Sequence, residues 1–164
     1  MDEKNVINDF DSVNEDDIIS GLIQAAESVK NDKALIKIKR YNAGKKADEI
    51  LFSFRVRVMT EDEMEEIRER YRTYKHNPRT GQSVVDKFDN NRFVSEVIYI
   101  ATVPEDRAKI WENPVIKKNY NILNNVDVVD VLLKPGEKDQ ASTVIMKLAG
   151  FTGEEDQGIE LLKN

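Results

Sequence analysis

Hydrophobic residues near the start of the chain follow two different repeats. The first has helical spacing after an acidic start and consists of Ile18, Ile19, Leu22, Ile23 and Ala26. It predicts a short amphipathic helix over residues 16–30. The second alternates with polar residues and consists of Ile36, Ile38, Ile50, Phe52, Phe54, Val56 and Val58. It predicts two antiparallel strands, buried on one face and joined by a turn at Asn42-Ala43-Gly44.

A strongly capped helix is predicted after the strands. Thr60 and Glu63 have the spacing of a capping box, in which each side chain bonds a free backbone N–H of the first turn. Acids crowd the first turns and bases the last, which complements the helix dipole and allows a Glu66–Arg70 pair. One face carries Met64, Ile67, Tyr71 and Tyr74. The helix is therefore expected to continue to Asn77-Pro78, followed by a tight turn at residues 78–81 and a loop to Phe88.

The second half of the chain is predicted to be helical. A helix capped by Asp89 or Asn90 is the expected central one, because its wide apolar face carries Phe93, Val94, Val97, Ile98 and Ala101. Thr102 and Glu105 form a second candidate capping box, and Asn125 is expected to cap a helix over residues 126–133. A last helix, with Ala141, Val144, Ile145 and Leu148, is expected to end at Gly150. The predicted fold is α+β and predominantly α-helical, with a small N-terminal antiparallel β-hairpin followed by a compact bundle of four to six helices.

Charge is distributed unevenly along the 164 residues, whose net charge is −6. Both ends of the chain are acidic, and the middle is close to neutral. We expect a flexible acidic N-terminus at residues 1–14, a single globular domain at residues 15–150, and an acidic segment at residues 151–164 that is a weak helix or a tail. The chain has no long apolar run and no apolar signal at its start, so the cytoplasm is the expected location.

Residue types that most catalytic and metal sites need are scarce. The chain has no cysteine, and a Ser-His-Asp site or a zinc site would depend on His76, the single histidine. Gly44-Lys45-Lys46 lacks the upstream glycine of a phosphate-binding loop. Asp86, Asp89 and Asn91 lack the glycine and the closing acid of a calcium loop, so helix capping is the better interpretation. The protein is predicted not to be an enzyme and to use no cofactor or metal.

The sharpest alternative chemistry is nucleic-acid binding by residues 68–79, where bases alternate with aromatic residues. Tyr71 and Tyr74 continue the apolar face of their predicted helix, which favours a place in the core. Acids one turn earlier balance the bases. Nucleic acid is therefore the weaker interpretation.

Four apolar residues are candidates for contact with a protein partner. Trp111 is either a core anchor or an interface hot spot, and the sequence leaves both interpretations open. Ile159, Leu161 and Leu162 lie in the acidic C-terminal segment, where they can hold a partner or dock as an ordinary chain end.

Four stretches occur in this order from Phe54 onward: FRVRVMTEDEMEEIRERY, NPRTGQSVVDKFDNNRFVSEVIYIATV, EDRAKIW and NVDVVDVLLKPGE. Together they resemble the XkdN-like phage tail assembly chaperones of prophages and related tailed phages of Gram-positive bacteria. The resemblance covers roughly two thirds of the chain and little of the first fifty residues. It provides no residue-by-residue binding map.

This resemblance implies a role without catalysis. Such chaperones bind the tape measure protein, the long apolar helical chain that sets tail length, keep it soluble, and help to recruit tail tube subunits. It also implies absence from the mature virion, a frameshifted longer form as a further partner, and self-association into a homo-oligomer. The alternatives are a structural tail protein that stays in the particle and, less favoured, a nucleic-acid-binding regulator.

Overall fold

The computed structural model describes residues 14–40 and 49–151. The chain divides into two units, Met1–Asp32 and Lys33–Asn164, which we describe separately. In the first unit, helix α1 spans Glu15–Asn31 and confirms the predicted amphipathic helix. The Asn14 side chain caps it by accepting a hydrogen bond from the Asp16 N–H, and every residue of the helix is exposed.

The second unit, hereafter the body, contains four strands and six helices in the residues that the structure describes. Its elements in order are β1 (Lys33–Lys39), β2 (Ile50–Arg57), α2 (Glu61–Arg70), β3 (Arg72–His76), β4 (Ser83–Phe88), α3 (Asn90–Ala101), α4 (Pro104–Lys109), α5 (Pro114–Asn119), α6 (Asn125–Leu132) and α7 (Pro135–Leu148). The strands form two separate antiparallel hairpins, β1–β2 and β3–β4. The predicted fold class, α+β and predominantly helical, is confirmed, and the second hairpin is an addition to it.

The first hairpin provides one wall of the core. Ile36 lies opposite Phe54, and both side chains are buried together with Ile38 and Val56. Alternation along each strand turns the intervening residues outward, as the period of two predicts. The predicted turn at Asn42-Ala43-Gly44 lies outside the described residues.

Helix α2 begins as predicted but ends earlier. Thr60 and Glu63 form the expected capping box, with Thr60 Oγ1 accepting from the Glu63 N–H and Glu63 Oε2 accepting from the Thr60 N–H. The predicted continuation to Asn77-Pro78 is wrong, because the helix stops at Arg70 and the chain turns into strand β3. The predicted loop before Phe88 is likewise wrong, because residues 83–88 form strand β4.

Helix α3 lies at the centre of the body, as expected. It is capped by Asp89, and it packs against α2, α6 and α7 through buried residues that include Val97, Ile98 and Ala101. The capping box predicted at Thr102 is wrong, because Val103 occupies the N-cap position of α4 and makes no side-chain cap. The Thr102 hydroxyl instead donates to the Ile98 carbonyl at 2.6 Å.

The last helix closes the body against its first strand. Helix α7 packs on β1, and the guanidinium of Arg40, which follows β1, makes a bidentate pair with Glu137 at 2.7 and 2.9 Å. The same guanidinium donates to the Leu132 carbonyl at the end of α6. Gly150 follows α7 with a φ of +90°, which agrees with the predicted helix end. The cap of α6 is Asn124, one residue before the predicted Asn125.

Candidate protein-interaction surfaces

The β3–β4 hairpin carries four exposed large apolar side chains, those of Tyr74, Val84, Val85 and Phe88. Every residue of β4 is exposed, and Arg72 alone in β3 is partly buried. Tyr74, Val85 and Phe88 expose 49%, 52% and 39% of their surface. Side chains of this size are normally covered in a folded domain when they occur together, so their exposure marks this hairpin as a surface for a partner.

Strand register assigns these residues to one face. Tyr74 pairs with Val85 and Arg72 with Phe88, so Tyr74, Val85 and Phe88 share a side that we call the hairpin face. The opposite side carries the pairs Thr73–Lys87 and Lys75–Val84 and is more polar. The Phe88 ring lies 5.4 Å from that of Phe93, which anchors the base of the hairpin on α3.

Ion pairs, rather than apolar burial, hold the hairpin beside α2. Arg72 binds Glu65 at 2.7 Å and Glu69 at 3.2 Å, and the Tyr74 hydroxyl donates to Glu69. Hydrogen bonds from Arg68 and Arg72 hold the pKa of Glu65 below its usual range. Its carboxylate therefore stays ionised at neutral pH. Arg72 and Tyr74 lie on the side of the hairpin face, so this side borders α2 through polar contacts while its apolar residues remain partly exposed.

The same ion pairs bear on the nucleic-acid alternative. Arg68 pairs with Glu65, and Arg70 pairs with Glu66 at 3.4 Å, as predicted, and also with the buried Glu96. Tyr71 is partly buried against the core, so this aromatic ring is packed rather than offered for base stacking. Burial, assisted by Glu96, raises the pKa of Tyr71 to about 12. A phosphate backbone would have to displace these carboxylates, which leaves nucleic acid the weaker interpretation.

A small apolar notch lies between α2 and α7. It has a volume of about 180 Å³ and is lined by Met59, Met64, Met146, Ala149 and Phe151, with Glu61 and Arg68 beside it. Phe151 is 63% exposed. Methionine side chains adapt to different apolar shapes, so the notch can receive a single apolar side chain of a partner.

Of the four sequence-predicted partner residues, the structure describes Trp111. Trp111 is fully buried, its ring lies edge-on to Phe54 at 5.2 Å, and its Nε1–H donates to Thr102 Oγ1 at 2.8 Å. It packs as a core residue and presents no surface to a partner. Ile159, Leu161 and Leu162 lie outside the described residues.

An ionic cluster joins α3, α6 and α7 beside a cavity of about 460 Å³. Asp130 binds Arg92 at 3.0 Å and Lys138 at 2.7 Å, and it accepts a hydrogen bond from Ser95. Burial alone would raise the pKa of Asp130, but the hydrogen bonds from Lys138 and Ser95 lower it. Each of these side chains already has a partner, so the cluster ties three helices together and offers no poised acid or base.

Two further properties concern only residues 14–40 and 49–151. No helix there combines the length and the hydropathy that a membrane crossing requires. Within the same ranges, no three acidic or histidine side chains converge as metal ligands.

His76, on which a Ser-His-Asp or zinc site would depend, lies in β3. Its Nδ1 is 3.3 Å from Ser83 Oγ.

Comparison with protein families decides the general class. Residues 6–163 match the family model described as phage XkdN-like tail assembly chaperone protein. The chain belongs to this family. Searches of curated proteins and of solved structures found no match. As a tail assembly chaperone the protein has protein partners in tail assembly, and its family is described as one of chaperones. The match also extends into the first fifty residues, where the sequence resemblance was slight.

Proposed function

We propose that this protein binds the tape measure protein during tail assembly, keeps it soluble and helps to recruit tail tube subunits. The family match over residues 6–163 carries the proposal. The protein would act in the cytoplasm of the bacterial host and be absent from the mature virion. A frameshifted longer form of the chain and a homo-oligomer belong to the same proposal.

The hairpin face is the proposed contact with the client. A long apolar chain is kept soluble when its apolar side chains are covered, and Tyr74, Val85 and Phe88 offer a matching surface. Ion pairs to α2 hold this surface in place before a partner arrives, which lowers the entropy that binding would cost. Tyrosine is also among the residues that most often dominate binding energy at interfaces.

The C-terminal residues Ile159, Leu161 and Leu162 form the second part of the proposed contact. They combine apolar side chains with the acidic residues Glu154, Glu155 and Asp156 nearby in sequence. Trp111 contributes by stabilising the core on which the hairpins rest, since its side chain is not accessible.

Co-expression with the tape measure protein of the same genome tests the proposal. We expect a soluble complex in a pull-down with the wild type and precipitation of the tape measure protein expressed alone. Val85→Asp should reduce the recovered client at least tenfold, because it puts a charge on the hairpin face. Val84→Asp is the matched control, since Val84 is 59% exposed on the opposite side of the same strand.

Three outcomes would count against parts of this proposal. Equal recovery with both variants would remove the hairpin face as the contact. Unchanged recovery after deletion of residues 152–164 would remove the C-terminal contact. If the wild type leaves the client insoluble while mass spectrometry finds the protein in purified virions, the protein is a structural tail component instead.

A further inference from the structure

Helix α1 has a broad apolar face that its own unit leaves exposed. The exposed fractions are 49% for Ile18, 48% for Ile19, 65% for Leu22, 54% for Ile23 and 64% for Val29. Ala25 and Ala26 lie on the same side of the helix. A helix of 17 residues gains little net stability from its backbone alone, so this face requires a cover.

The distribution of charge along α1 indicates which partner packs on this apolar face. The first turn carries Glu15, Asp16 and Asp17, and the last turn carries Lys30. Two parallel copies would place six carboxylates together. Two antiparallel copies would place each acidic turn beside the lysine of the other copy, with opposed helix dipoles.

Side-chain size is complementary in the same arrangement. In the antiparallel register centred at the level of Gln24, Leu22 lies opposite Ala26 of the second copy, and Ile19 lies opposite its Val29. Large residues therefore meet small or medium ones, as interdigitating helix interfaces require. Asp16 and Lys30 flank the same edge of the apolar face, so the pairing forms at both ends of a two-fold interface.

We propose that α1 is a self-association surface, on which a second copy of this chain pairs its own α1 in antiparallel orientation. This inference rests on the homo-oligomer of the proposed function and names its surface. Its test can fail separately from client binding, because it uses the purified protein without a client. It assigns to the N-terminal unit the role of joining copies, while the body keeps its exposed hairpin.

The mass of the full chain, measured by light scattering across a concentration series, tests the inference. We expect a dimer for the wild type, a monomer for Leu22→Asp and a dimer for Gln24→Asp. Gln24 is the matched control because it lies on the opposite side of α1. All three should retain the same melting temperature of the body, since no residue of α1 is buried.

Charge reversal tests the orientation. Lys30→Glu should raise the dimer dissociation constant at least tenfold, and adding Asp16→Lys to it should restore most of the affinity. The chain has no cysteine, so single cysteines report proximity cleanly. Asp16→Cys mixed with Lys30→Cys should form a mixed disulfide, whereas Asp16→Cys alone should not cross-link.

Three results would overturn the inference. A wild type that is monomeric at every concentration would mean that α1 is covered within one copy or by another protein. A Leu22→Asp dimer would place the self-association surface elsewhere. Efficient cross-linking of Asp16→Cys with itself would show a parallel pair.

Discussion

The two hairpins of the body have the same topology and opposite environments. Both are antiparallel and two-stranded, and each contains one register irregularity. The first hairpin buries Ile36, Ile38, Phe54 and Val56 in the core, whereas no residue of β3 or β4 is buried. The two hairpins therefore share the same type of strand pairing. Only the first has one face covered by the hydrophobic core.

This difference in burial determines the role of each hairpin. A two-stranded hairpin is marginally stable alone, so each needs support from the rest of the body. The first obtains it from apolar packing and becomes part of the scaffold. The second obtains it from ion pairs to α2 and from the contact of Phe88 with Phe93 on α3. Its Tyr74, Val84 and Val85 stay about half exposed.

The largest expected effect is on the covered hairpin. Phe54→Ala removes a fully buried ring that packs edge-on against Trp111 at 5.2 Å. We expect the free energy of unfolding to fall by about 3–5 kcal/mol, because the change combines lost burial with a cavity. Urea denaturation followed by tryptophan fluorescence measures it.

The matched change on the uncovered hairpin is Val85→Ala, at a residue that is 52% exposed. It should alter the free energy of unfolding by less than about 0.5 kcal/mol. Similar losses for both variants would show that the second hairpin is also packed in solution, which would contradict the comparison.

The next effect concerns the ion pair that secures the end of the first hairpin. Hydrogen bonds from Arg40 hold the pKa of Glu137 below its ordinary value of 4.5. A depressed folded pKa contributes stability above the unfolded pKa, and this stability is lost as the pH falls through the folded pKa. Glu137→Gln should therefore cost about 1.5–3 kcal/mol at pH 7, the range for hydrogen bonds to charged groups.

A pH series of unfolding curves checks the sign. The difference between wild type and Glu137→Gln should shrink as the pH falls from 5 towards 3. A difference that stays constant over this window would mean that the Glu137 carboxylate contributes through its shape rather than its charge. Glu65→Gln, which removes the exposed α2 partner of Arg72 in the second hairpin, should cost less, because solvent screens surface ion pairs.

A further expected effect is confined to the second hairpin. Gly81 adopts a φ of +71° in the turn between β3 and β4, a conformation that costs a residue with a Cβ about 1–2 kcal/mol. No atom would contact a Cβ added at this position, so Gly81→Ala introduces strain without a clash.

Amide hydrogen exchange measures this change by region. Exchange should become faster in residues 72–88 and stay unchanged in β1 and β2, because the two hairpins do not share a sheet. Faster exchange in both hairpins would indicate one cooperative unit and would weaken the comparison.

Sequence patterns predicted the first hairpin and missed the second for a physical reason. Ile36, Ile38 and Phe54 alternate because one side of each strand is buried, and burial leaves a clear period of two. Strands β3 and β4 have no buried side, so no such period is imposed. Tyr71 and Tyr74 moreover continue the helical spacing of Met64 and Ile67. This spacing favoured a longer helix α2 over strand β3.

Some contacts could not be predicted from the sequence, because they depend on how distant parts of the chain pack together. Thr102 has the spacing of a helix cap, but the Trp111 indole, nine residues later, uses its hydroxyl as an acceptor. The hairpin face could have been found only with the strand register, because Val84 and Val85 are equally apolar in sequence and lie on opposite sides.

The contact between the first strand and the last helix of the body has a consequence for biosynthesis. Arg40 and Glu137 are 97 residues apart, and α7 covers β1. A ribosome therefore releases the apolar strands long before it completes the helix that covers them. Contacts this distant in sequence also slow folding. During its own synthesis the protein passes through a stage in which its apolar residues lack a cover, the condition that it is proposed to relieve in its client.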